Sequence, residues 1–327
     1  MARRQAVTIS DVAHAAGVSR STVSRVFSQP SLFLPATVTR VQEAAANLGY
    51  TPNPQAKALS TGTMAAIGIV VADIANPFFP PFIRAAGLRA TQSEVAVLIA
   101  DTEENPDIEA AALERLASRT DGIILVSSRQ SASAVLAFAQ KTPLVVVNRD
   151  IAGIPRVLVS TEAGIHQAVE HLAGLGHRHI AYLVGPKRSW SNQERLNAAN
   201  SACMQFDLEL TLIKGYMPTY EDGARSSKAV VKSGATALVA FDDLMAQGAM
   251  AGLADMEINV PADMSVIGCD DLLAARTYPQ MTSIKARSPE AGVAAVDLLL
   301  ADAQKDTRLV LPGEFILRST TAPPRAL

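Results

Sequence analysis

Cysteine and aromatic residues are scarce in this sequence. Its two cysteines, Cys203 and Cys269, are too few for a disulfide framework and lack the spacing of metal ligands, which fits a reducing compartment. No apolar run reaches the roughly 18 residues that a membrane span needs. Arg3 and Arg4 lead into a polar stretch and not into the apolar segment of a signal peptide. We therefore predict a cytoplasmic protein with no membrane partner.

Motifs of catalysis are also missing. The sequence contains no G-x-G-x-x-G, no phosphate-loop motif and no nucleophile elbow. The adjacent acids at 242–243 and 270–271 resemble catalytic pairs, but neighbouring residues that leave a strand point in different directions. We expect one acid of each pair to face a ligand cleft and the other to cap the following helix. The sequence thus predicts no enzyme activity, no cofactor and no metal site.

A net positive charge is confined to the N-terminal part of the chain. The net charge is −2, yet residues 1–61 carry +4 and leave −6 for the remainder. The basic residues of this N-terminal part, set against Asp11 and Glu43, are Arg3, Arg4, Arg20, Arg25, Arg40 and Lys57. Only this part has the electrostatic footprint of a domain that binds a polyanion.

Residues 8–27, TISDVAHAAGVSRSTVSRVF, predict two short helices joined by a tight turn. Thr8 and Ser19 can cap the two helices, and Gly17 allows the sharp reversal between them. Val23 and Val26 point inward, which leaves a polar outer face with groups that donate to phosphates and base edges. That face holds Arg20, Ser21, Thr22, Ser24 and Arg25. The pattern predicts a DNA-reading helix-turn-helix; a helical hairpin in another kind of domain is the alternative.

The next segments complete a small helical domain. In TVTRVQEAAANLGY apolar residues recur at helical spacing, and Gly49 ends this third helix. The following stretch, TPNPQAKALSTG, is a short helix or a linker. Because so short a helix is unstable alone in water, we expect it to form only when DNA or a partner chain holds it.

From residue 64 onward, apolar runs alternate with helical patterns, and the alternation restarts at residue 162. This predicts two α/β lobes with buried parallel strands and a cleft between them. Polar residues that directly follow strands should line that cleft: Asp73, Asn76, Asn148, Arg149, Asp242, Asp243, Asp270 and Asp271. Acids, an amide and guanidinium groups together suit a neutral polyhydroxylated ligand such as a sugar or nucleoside.

Seven motifs in order carry a family resemblance over essentially the whole chain. They are VTISDVAHAAGVSRSTVSRV, AANLGYTPNPQAKAL, DIANPFF, SRTDGIIL, VEHLAGLGHRHIAYLVGP, FDDLMAQGAM and VPADMSVIGCDD, the last followed by YPQMTSI. With them, the sequence resembles the LacI/GalR-family transcriptional regulators. The resemblance implies an N-terminal all-α helix-turn-helix domain followed by an α/β core of two Rossmann-like, periplasmic-binding-protein-like lobes. It also implies a homodimer on a palindromic double-stranded DNA operator.

The resemblance assigns roles to residues of the N-terminal part. Arg20, Ser21 and Arg25 would enter the major groove, while Thr8, Ser19, Thr22 and Ser24 would hold phosphates. A hinge helix would lie in the minor groove, with Leu59 wedged into the central base step. Ala56 and Lys57 would lie beside that leucine, and Asn53, a possible cap of the hinge helix, would also bind DNA. Leu34 stands where the family usually has a serine cap, so the third helix is expected to begin with a weaker cap.

The resemblance also implies domain boundaries and an effector pocket. The helix-turn-helix headpiece would span 1–52 and the hinge 53–63. The first lobe would comprise 64–161 and 289–318, and the second 162–288 and 319–327. The pocket would be formed by Asp73, Phe78, Asn148, Arg149, Arg195, Asp242 and Asp270, and Trp190 lies on the loop that leads to Arg195. We expect the ring of Trp190 to cover the ligand, with ordinary packing as the alternative.

Other functions remain open at this point. A catabolite-type regulator of the same family would respond to a protein co-regulator that docks on the first lobe, although the polar cleft favours a small ligand. A sugar-binding protein without DNA function would share the core but not the basic headpiece. Asp242 stands where the family commonly has asparagine, and Cys269 where it commonly has a bulky residue, so the identity of the effector is open. Two pairs of alternatives stay open: the protein is a repressor or an activator of transcription, and its effector is an inducer or a co-repressor.

Overall fold

A computed structural model of the protein describes residues 7–51, 63–215 and 217–325. The chain divides into two compact units, Met1–Ala66 and Ile67–Leu327, which we call the headpiece and the core. The predicted hinge residues Asn53, Ala56, Lys57 and Leu59 lie outside the described residues. No helix in the described part of the chain is long and apolar enough to cross a membrane.

The headpiece contains the three predicted helices. They are α1 (Ile9–Ala16), α2 (Arg20–Ser28) and α3 (Pro35–Leu48), with a 3₁₀ turn at Pro30–Leu32. A small core of valines and alanines holds them together, and Val12, Val23 and Val41 are fully buried in it. Gly17 ends α1 in the left-handed conformation with φ +62°, as the tight turn requires.

The helix caps of the headpiece match the sequence predictions. The Ser19 hydroxyl accepts a hydrogen bond from the Thr22 amide at 3.1 Å and caps α2. At α1 the acceptor is Asp11, to which the backbone N–H and the hydroxyl of Thr8 both donate at 2.8 Å. Thr8 is thus the N-cap of α1 in a capping box with Asp11, and the prediction that Thr8 caps this helix is confirmed. Leu34 precedes α3 with no side-chain cap, as expected.

In the core, the first lobe is built on a six-stranded sheet in the order β11-β5-β4-β3-β1-β2. Its strands are β1 (Ala66–Val71), β2 (Ala96–Asp101), β3 (Gly122–Val126), β4 (Leu144–Val147), β5 (Arg156–Ser160) and β11 (Arg308–Pro312). Strands β1, β3 and β4 are buried throughout, and Ile69, Ile124 and Val145 lie in register across them. β2 forms one edge of the sheet and β11 the other.

Helices cover both faces of this sheet. They are α4 (Phe79–Gln92), α5 (Pro106–Ala117), α6 (Ala132–Ala139) and α11 (Ser288–Leu300). α4 and α11 pack on one face around Phe82 and Val296, and α5 and α6 pack on the other around Leu113 and Val135. The apolar runs read as strands are continuous rather than alternating because both faces of the sheet are covered.

The second lobe repeats the plan on a four-stranded sheet in the order β7-β6-β8-β9. Its strands are β6 (His179–Val184), β7 (Glu209–Lys214), β8 (Ala237–Ala240) and β9 (Ser265–Ile267). Its helices are α7 (Glu162–Gly174), α8 (Trp190–Gln205), α9 (Tyr220–Lys232) and α10 (Asp243–Ala254), with a 3₁₀ turn at Ala274–Arg276. α7 and α8 cover one face, and α9 and α10 the other.

A short two-stranded ribbon joins the lobes. β10 (Ser283–Lys285) pairs antiparallel with β12 (Glu314–Ile316), and Ile284 and Phe315 pack in the apolar cluster of the second lobe. β12 thus lies with the second lobe, whereas β11, which ends at Pro312, belongs to the sheet of the first. This favours a crossing between lobes at Gly313, five residues before the predicted boundary at 318.

Candidate functional site

The outer face of α2 is the polar surface that the sequence predicts. Val23 and Val26 are buried against the headpiece core, whereas Arg20, Ser21 and Arg25 are exposed. Among the described residues, neither arginine forms an ion pair, so both guanidinium groups are available to an anion. Thr22 and Ser24 are half-buried, and Thr8 and Ser19 are exposed. The seven predicted polar residues thus lie on and around one short helix.

In the core, Arg195 is the centre of a buried polar cluster between the lobes. It lies on α8 and is 4% exposed. Its guanidinium donates to Asp270 Oδ1 at 2.7 Å, to the Phe241 carbonyl and to Thr161 Oγ1 at 3.3 Å. Burial alone would lower the pKa of Arg195, but the Asp270 carboxylate raises it above its ordinary value. The cation is therefore permanent, and its fork is held in one orientation.

Asp242 links this cluster to the first lobe. Its Oδ1 accepts the Met245 amide at 2.8 Å and caps α10, while its Oδ2 accepts Asn76 Nδ2 of the first lobe at 2.9 Å. Burial, together with the nearby charge of Asp270, raises the pKa of Asp242 to about 7. One side chain therefore caps a helix and faces the cleft, which corrects the prediction that these tasks are divided between Asp242 and its neighbour.

The second member of each acid pair is structural. Asp243 accepts the amides of Leu272 and Leu273 and the Ser283 hydroxyl, the last at 2.6 Å. Asp271 pairs with Arg318 at 2.6 Å instead of capping a helix. The loops after β8 and β9 are fixed by these bonds, and this fixation positions Asp242 and Asp270.

The wall of the first lobe is formed by residues that follow its strands. Asn148 follows β4 in the left-handed conformation with φ +53°, and its Oδ1 accepts the Val159 amide at 3.0 Å. Phe78 packs edge-on against Phe79 with ring centroids 5.4 Å apart. Arg129, after β3, forms an ion pair with Glu104, after β2. Amide, aromatic and charged groups thus meet at the carboxyl edge of the sheet.

Residues of both lobes enclose a cleft of about 30 Å³. It is lined by Asn76, Phe78, Phe79, Glu104, Ser127, Arg129, Asn148, Ser189, Ser191, Arg195, Pro218, Phe241, Asp242 and Asp270. Ligand pockets typically measure roughly 300–1,000 Å³. The lobes are therefore closed on each other in this conformation, and their polar groups bind one another across the cleft.

The structure brings together five of the eight predicted effector residues, Phe78, Asn148, Arg195, Asp242 and Asp270. Asp73 instead accepts the Ala75 amide at 2.9 Å within its own turn. Arg149 and Trp190 line a separate depression beside the cleft. Glu104, Ser127 and Arg129 were not predicted as site residues, although the rule applied elsewhere, that polar residues follow strands, would have found them.

Comparison with known proteins places this architecture in a family. Residues 8–53 match the family described as bacterial regulatory proteins, lacI family, and residues 169–321 match a periplasmic binding protein-like domain. The regulator GalS of Salmonella typhimurium is 33% identical over 304 residues, covering 90% of this chain and 89% of the relative. The chain belongs to the lacI family.

Further matches extend over the whole chain. The lactose operon repressor of Escherichia coli is 32% identical, covering 97% of this chain and 91% of the repressor. A crystal structure of the lac repressor dimer bound to operator and the anti-inducer ONPF superposes with a TM-score of 0.87 at 30% identity, covering 97% of this chain and all of that one. These relatives are transcriptional regulators and not enzymes. This lacI-family chain is accordingly a DNA-binding transcriptional regulator with the two-lobe core that the sequence predicts.

Proposed function

We propose that this lacI-family regulator is a repressor that binds a palindromic operator as a homodimer. A small polyhydroxylated effector, a sugar or nucleoside, enters the cleft between the lobes and controls operator affinity. α2 reads the operator through Arg20, Ser21 and Arg25. Leu59 of the hinge wedges into the central base step, the role that the family resemblance implies for it.

The observation that carries the effector role is the polar cluster shared by the two lobes. Arg195, Asp270 and Asp242 of the second lobe face Asn76 and Asn148 of the first. Buried groups of both donor and acceptor type suit hydroxyls, which need both. An effector that replaces the Asn76–Asp242 bond interacts differently with open and closed lobes. Such differential binding is what allows a ligand to shift a conformational equilibrium.

Exposed apolar side chains support the homodimer. In the first lobe they lie on α4 and on the edge strand β2, which pack on each other, and include Leu88, Leu98 and Ile99. In the second lobe, Tyr278 is 99% exposed beside a groove of about 550 Å³ that Met250 and Val260 also line. Exposed apolar side chains of this size are available for a contact between two copies of the chain.

The test of DNA reading begins with an operator selected from random DNA by the purified chain. Fluorescence anisotropy then compares the affinities for that operator and for random DNA. Arg20→Ala should cost the operator about 1–3 kcal/mol more than random DNA, because it removes a base contact. The control is Arg119→Ala, an exposed cation of the core. Equal loss on both DNAs would show that Arg20 contacts only phosphates.

The test of the effector role titrates sugars and nucleosides against the chain–operator complex. Ser191→Leu fills the cleft without removing a charge and should abolish the response, while operator affinity without ligand is retained. Ser201→Leu, on the exposed side of the same helix α8, is the matched control. If Ser191→Leu responded like the parent chain, the cleft would not be the effector site.

A further inference from the structure

A second depression, of about 510 Å³, opens beside the cleft. We call it the basic depression. It is lined by Arg129, Gln130, Ser131 and Arg149 of the first lobe and by Lys187, Arg188, Ser189, Trp190 and Gln193 of the second. Like the cleft, it is built from residues of both lobes. Arg129 and Ser189 line both spaces, so the cleft and the basic depression are adjoining parts of one site.

The charges of the basic depression are unbalanced. Arg149, Lys187 and Arg188 have no carboxylate within ion-pair distance among the described residues. Arg129 is paired with Glu104, and the buried Glu109 accepts the Ser128 hydroxyl and the Arg129 amide. Four cations against two carboxylates leave an excess of two positive charges. Like charges gathered at one concavity repel each other, and a bound anion relieves the repulsion.

Arg149 is the most constrained of these cations. It is half-buried, and its Nη2 donates to the Gln130 carbonyl at 2.8 Å, which aims the guanidinium into the basic depression. Burial lowers the pKa of Arg149; Glu109 opposes this effect and the charge of Arg129 adds to it. Holding a cation in a partly buried place beside another cation has a free-energy cost. That cost is offset when an anion binds.

Two helix N-termini also face the basic depression. Ser131 caps α6 and Ser189 caps α8, so the positive ends of both helix dipoles lie at its wall. The side-chain amide of Gln130 donates to the Pro106 carbonyl and that of Gln193 to Asn197 Oδ1 at 2.8 Å, so each retains one further N–H. Trp190 supplies an aromatic face at the same wall. Donors thus dominate the lining, which suits a ligand group that only accepts hydrogen bonds.

We propose that the basic depression binds the phosphate of a phosphorylated sugar whose polyol part occupies the adjoining cleft. This inference rests on the proposed effector role of the cleft and names its ligand class. A phosphomonoester carries a charge of nearly −2 at neutral pH, which matches the excess of two cations. Guanidinium forks bind its oxygens in bidentate fashion. A neutral sugar fills only the cleft and leaves Arg149, Lys187 and Arg188 unpaired.

Trp190 gives a direct measurement, because it is the only tryptophan in the chain. Its emission is followed while the full chain is titrated with glucose 6-phosphate, ribose 5-phosphate and inorganic phosphate, and with glucose and ribose, at constant ionic strength. We expect saturable changes with the phosphorylated sugars, which should bind at least about tenfold more tightly than their parents. Absence of a saturable change with every phosphate probe at millimolar concentration would overturn the proposal.

The variant Lys187→Gln with Arg188→Gln removes two cations from exposed positions, so the fold is expected to be retained. It should weaken binding of the phosphorylated sugars by about tenfold or more and leave that of the parent sugars unchanged. Arg119→Gln with Lys141→Gln, two exposed cations elsewhere on the first lobe, is the matched control. If both variants bound the phosphorylated sugars with equal affinity, Lys187 and Arg188 would not bind the phosphate and the proposal would be wrong.

Operator binding separates this inference from the proposed function. If glucose or ribose alters operator affinity while no phosphate probe affects Trp190, the effector role stands and the phosphate site is refuted. If a phosphorylated sugar binds with the expected dependence on Lys187 and Arg188 but operator affinity is unchanged, the phosphate site stands and effector control is refuted.

Discussion

Asp242 both stabilises a helix end and bonds to the opposite lobe across the cleft. Its carboxylate is 2% exposed, caps α10 and holds Asn76 of the opposite lobe. Burial and the charge of Asp270 favour its protonated form. An ionised Asp242 stabilises the helix end but is costly to bury, so the stability of the core should depend on pH through this residue.

We predict that Asp242→Asn changes this pH dependence. The folded-state pKa of about 7 lies above the ordinary value of 3.8, so the contribution of Asp242 to stability is fully present below about pH 4 and is lost as pH rises through 7. From pH 4 to pH 8 the variant should therefore gain about 3 kcal/mol on the parent in free energy of unfolding. Urea unfolding of the core across this range measures the difference.

The matched control for this prediction is Asp255→Asn, an exposed acid just after the same helix α10. Its unfolding free energy should run parallel to that of the parent at every pH. A difference between Asp242→Asn and the parent that is constant with pH would show that Asp242 stays ionised in the folded core.

Site residues could be predicted from the sequence where they directly follow a strand. They were missed where their position depends on a contact with another residue of the fold. Asn148 and Asp270 follow strands and were found by that position alone. Trp190 precedes Arg195 on the same helix, yet it lines the basic depression, whereas its neighbour Ser191 lines the cleft. The pairing of Arg129 with Glu104 joins the ends of two strands, and sequence spacing does not encode such a contact.

At the scale of elements, α3 begins without a side-chain cap. Leu34 occupies the cap position in an extended conformation, with φ −62° and ψ 139°, and is 76% exposed. Pro35 at the first helical position requires no amide partner, which partly compensates for the missing cap. The backbone is thus already suited to a capping serine, and the exposed leucine contributes no burial.

We predict that Leu34→Ser stabilises the headpiece by about 1 kcal/mol, because its hydroxyl can accept a helix N–H. Hydrogen exchange at the Val41 and Ala45 amides in the full chain should slow correspondingly. Leu32→Ser replaces a leucine of similar exposure at the end of the 3₁₀ turn, and serves as the control. Equal slowing in both variants would trace the effect to removal of exposed leucine and not to capping.

The two edges of the first-lobe sheet differ in a way that bears on assembly. β2 is one edge and packs on α4, which is also apolar on its outer side at Leu88. β11 is the other edge; it begins at Arg308, which is paired to Asp150 at 3.0 Å, and it exposes Leu309 and Val310. An unpaired apolar edge favours association with another chain.

We predict that Leu98→Lys on β2 weakens dimer formation by about tenfold or more, because it places a charge in the apolar interface. Leu309→Lys on β11 is the matched control, since both leucines are edge-strand residues with an exposure of 37%. Sedimentation velocity over a range of concentrations measures the dimer dissociation constant. Equal dissociation constants for the two variants would place the interface elsewhere.

At the scale of the whole molecule, the order of strands and helices in the two lobes was predictable from the pattern of apolar residues. Continuous apolar runs gave the strands of both lobes, and the restart at residue 162 gave the second lobe, because buried parallel strands need no polar alternation. Closure of the lobes was not predictable. Bonds across the lobes, such as that between Asn76 and Asp242, join residues that are distant in sequence, and no local pattern records them.

Closure has a consequence for the kinetics of the whole core. A cleft of about 30 Å³ admits no sugar, so the lobes must open before an effector can enter. The observed association rate is then the intrinsic rate multiplied by the open fraction. Weakening a bond that spans the lobes raises this fraction. Loss of a contact with the bound ligand acts mainly on the dissociation rate instead.

We therefore predict that Asn76→Ala accelerates effector association. The change removes the hydrogen bond to Asp242 across the cleft and leaves that acceptor unpaired in the closed state. This shifts the equilibrium toward open lobes by about 1–3 kcal/mol and should raise the association rate about tenfold. Stopped-flow emission of Trp190 measures the rate with the ligand that alters operator affinity. Asn200→Ala on the exposed side of α8 should bind at the parent rate, and the same rate in Asn76→Ala would mean that this bond does not hold the lobes closed.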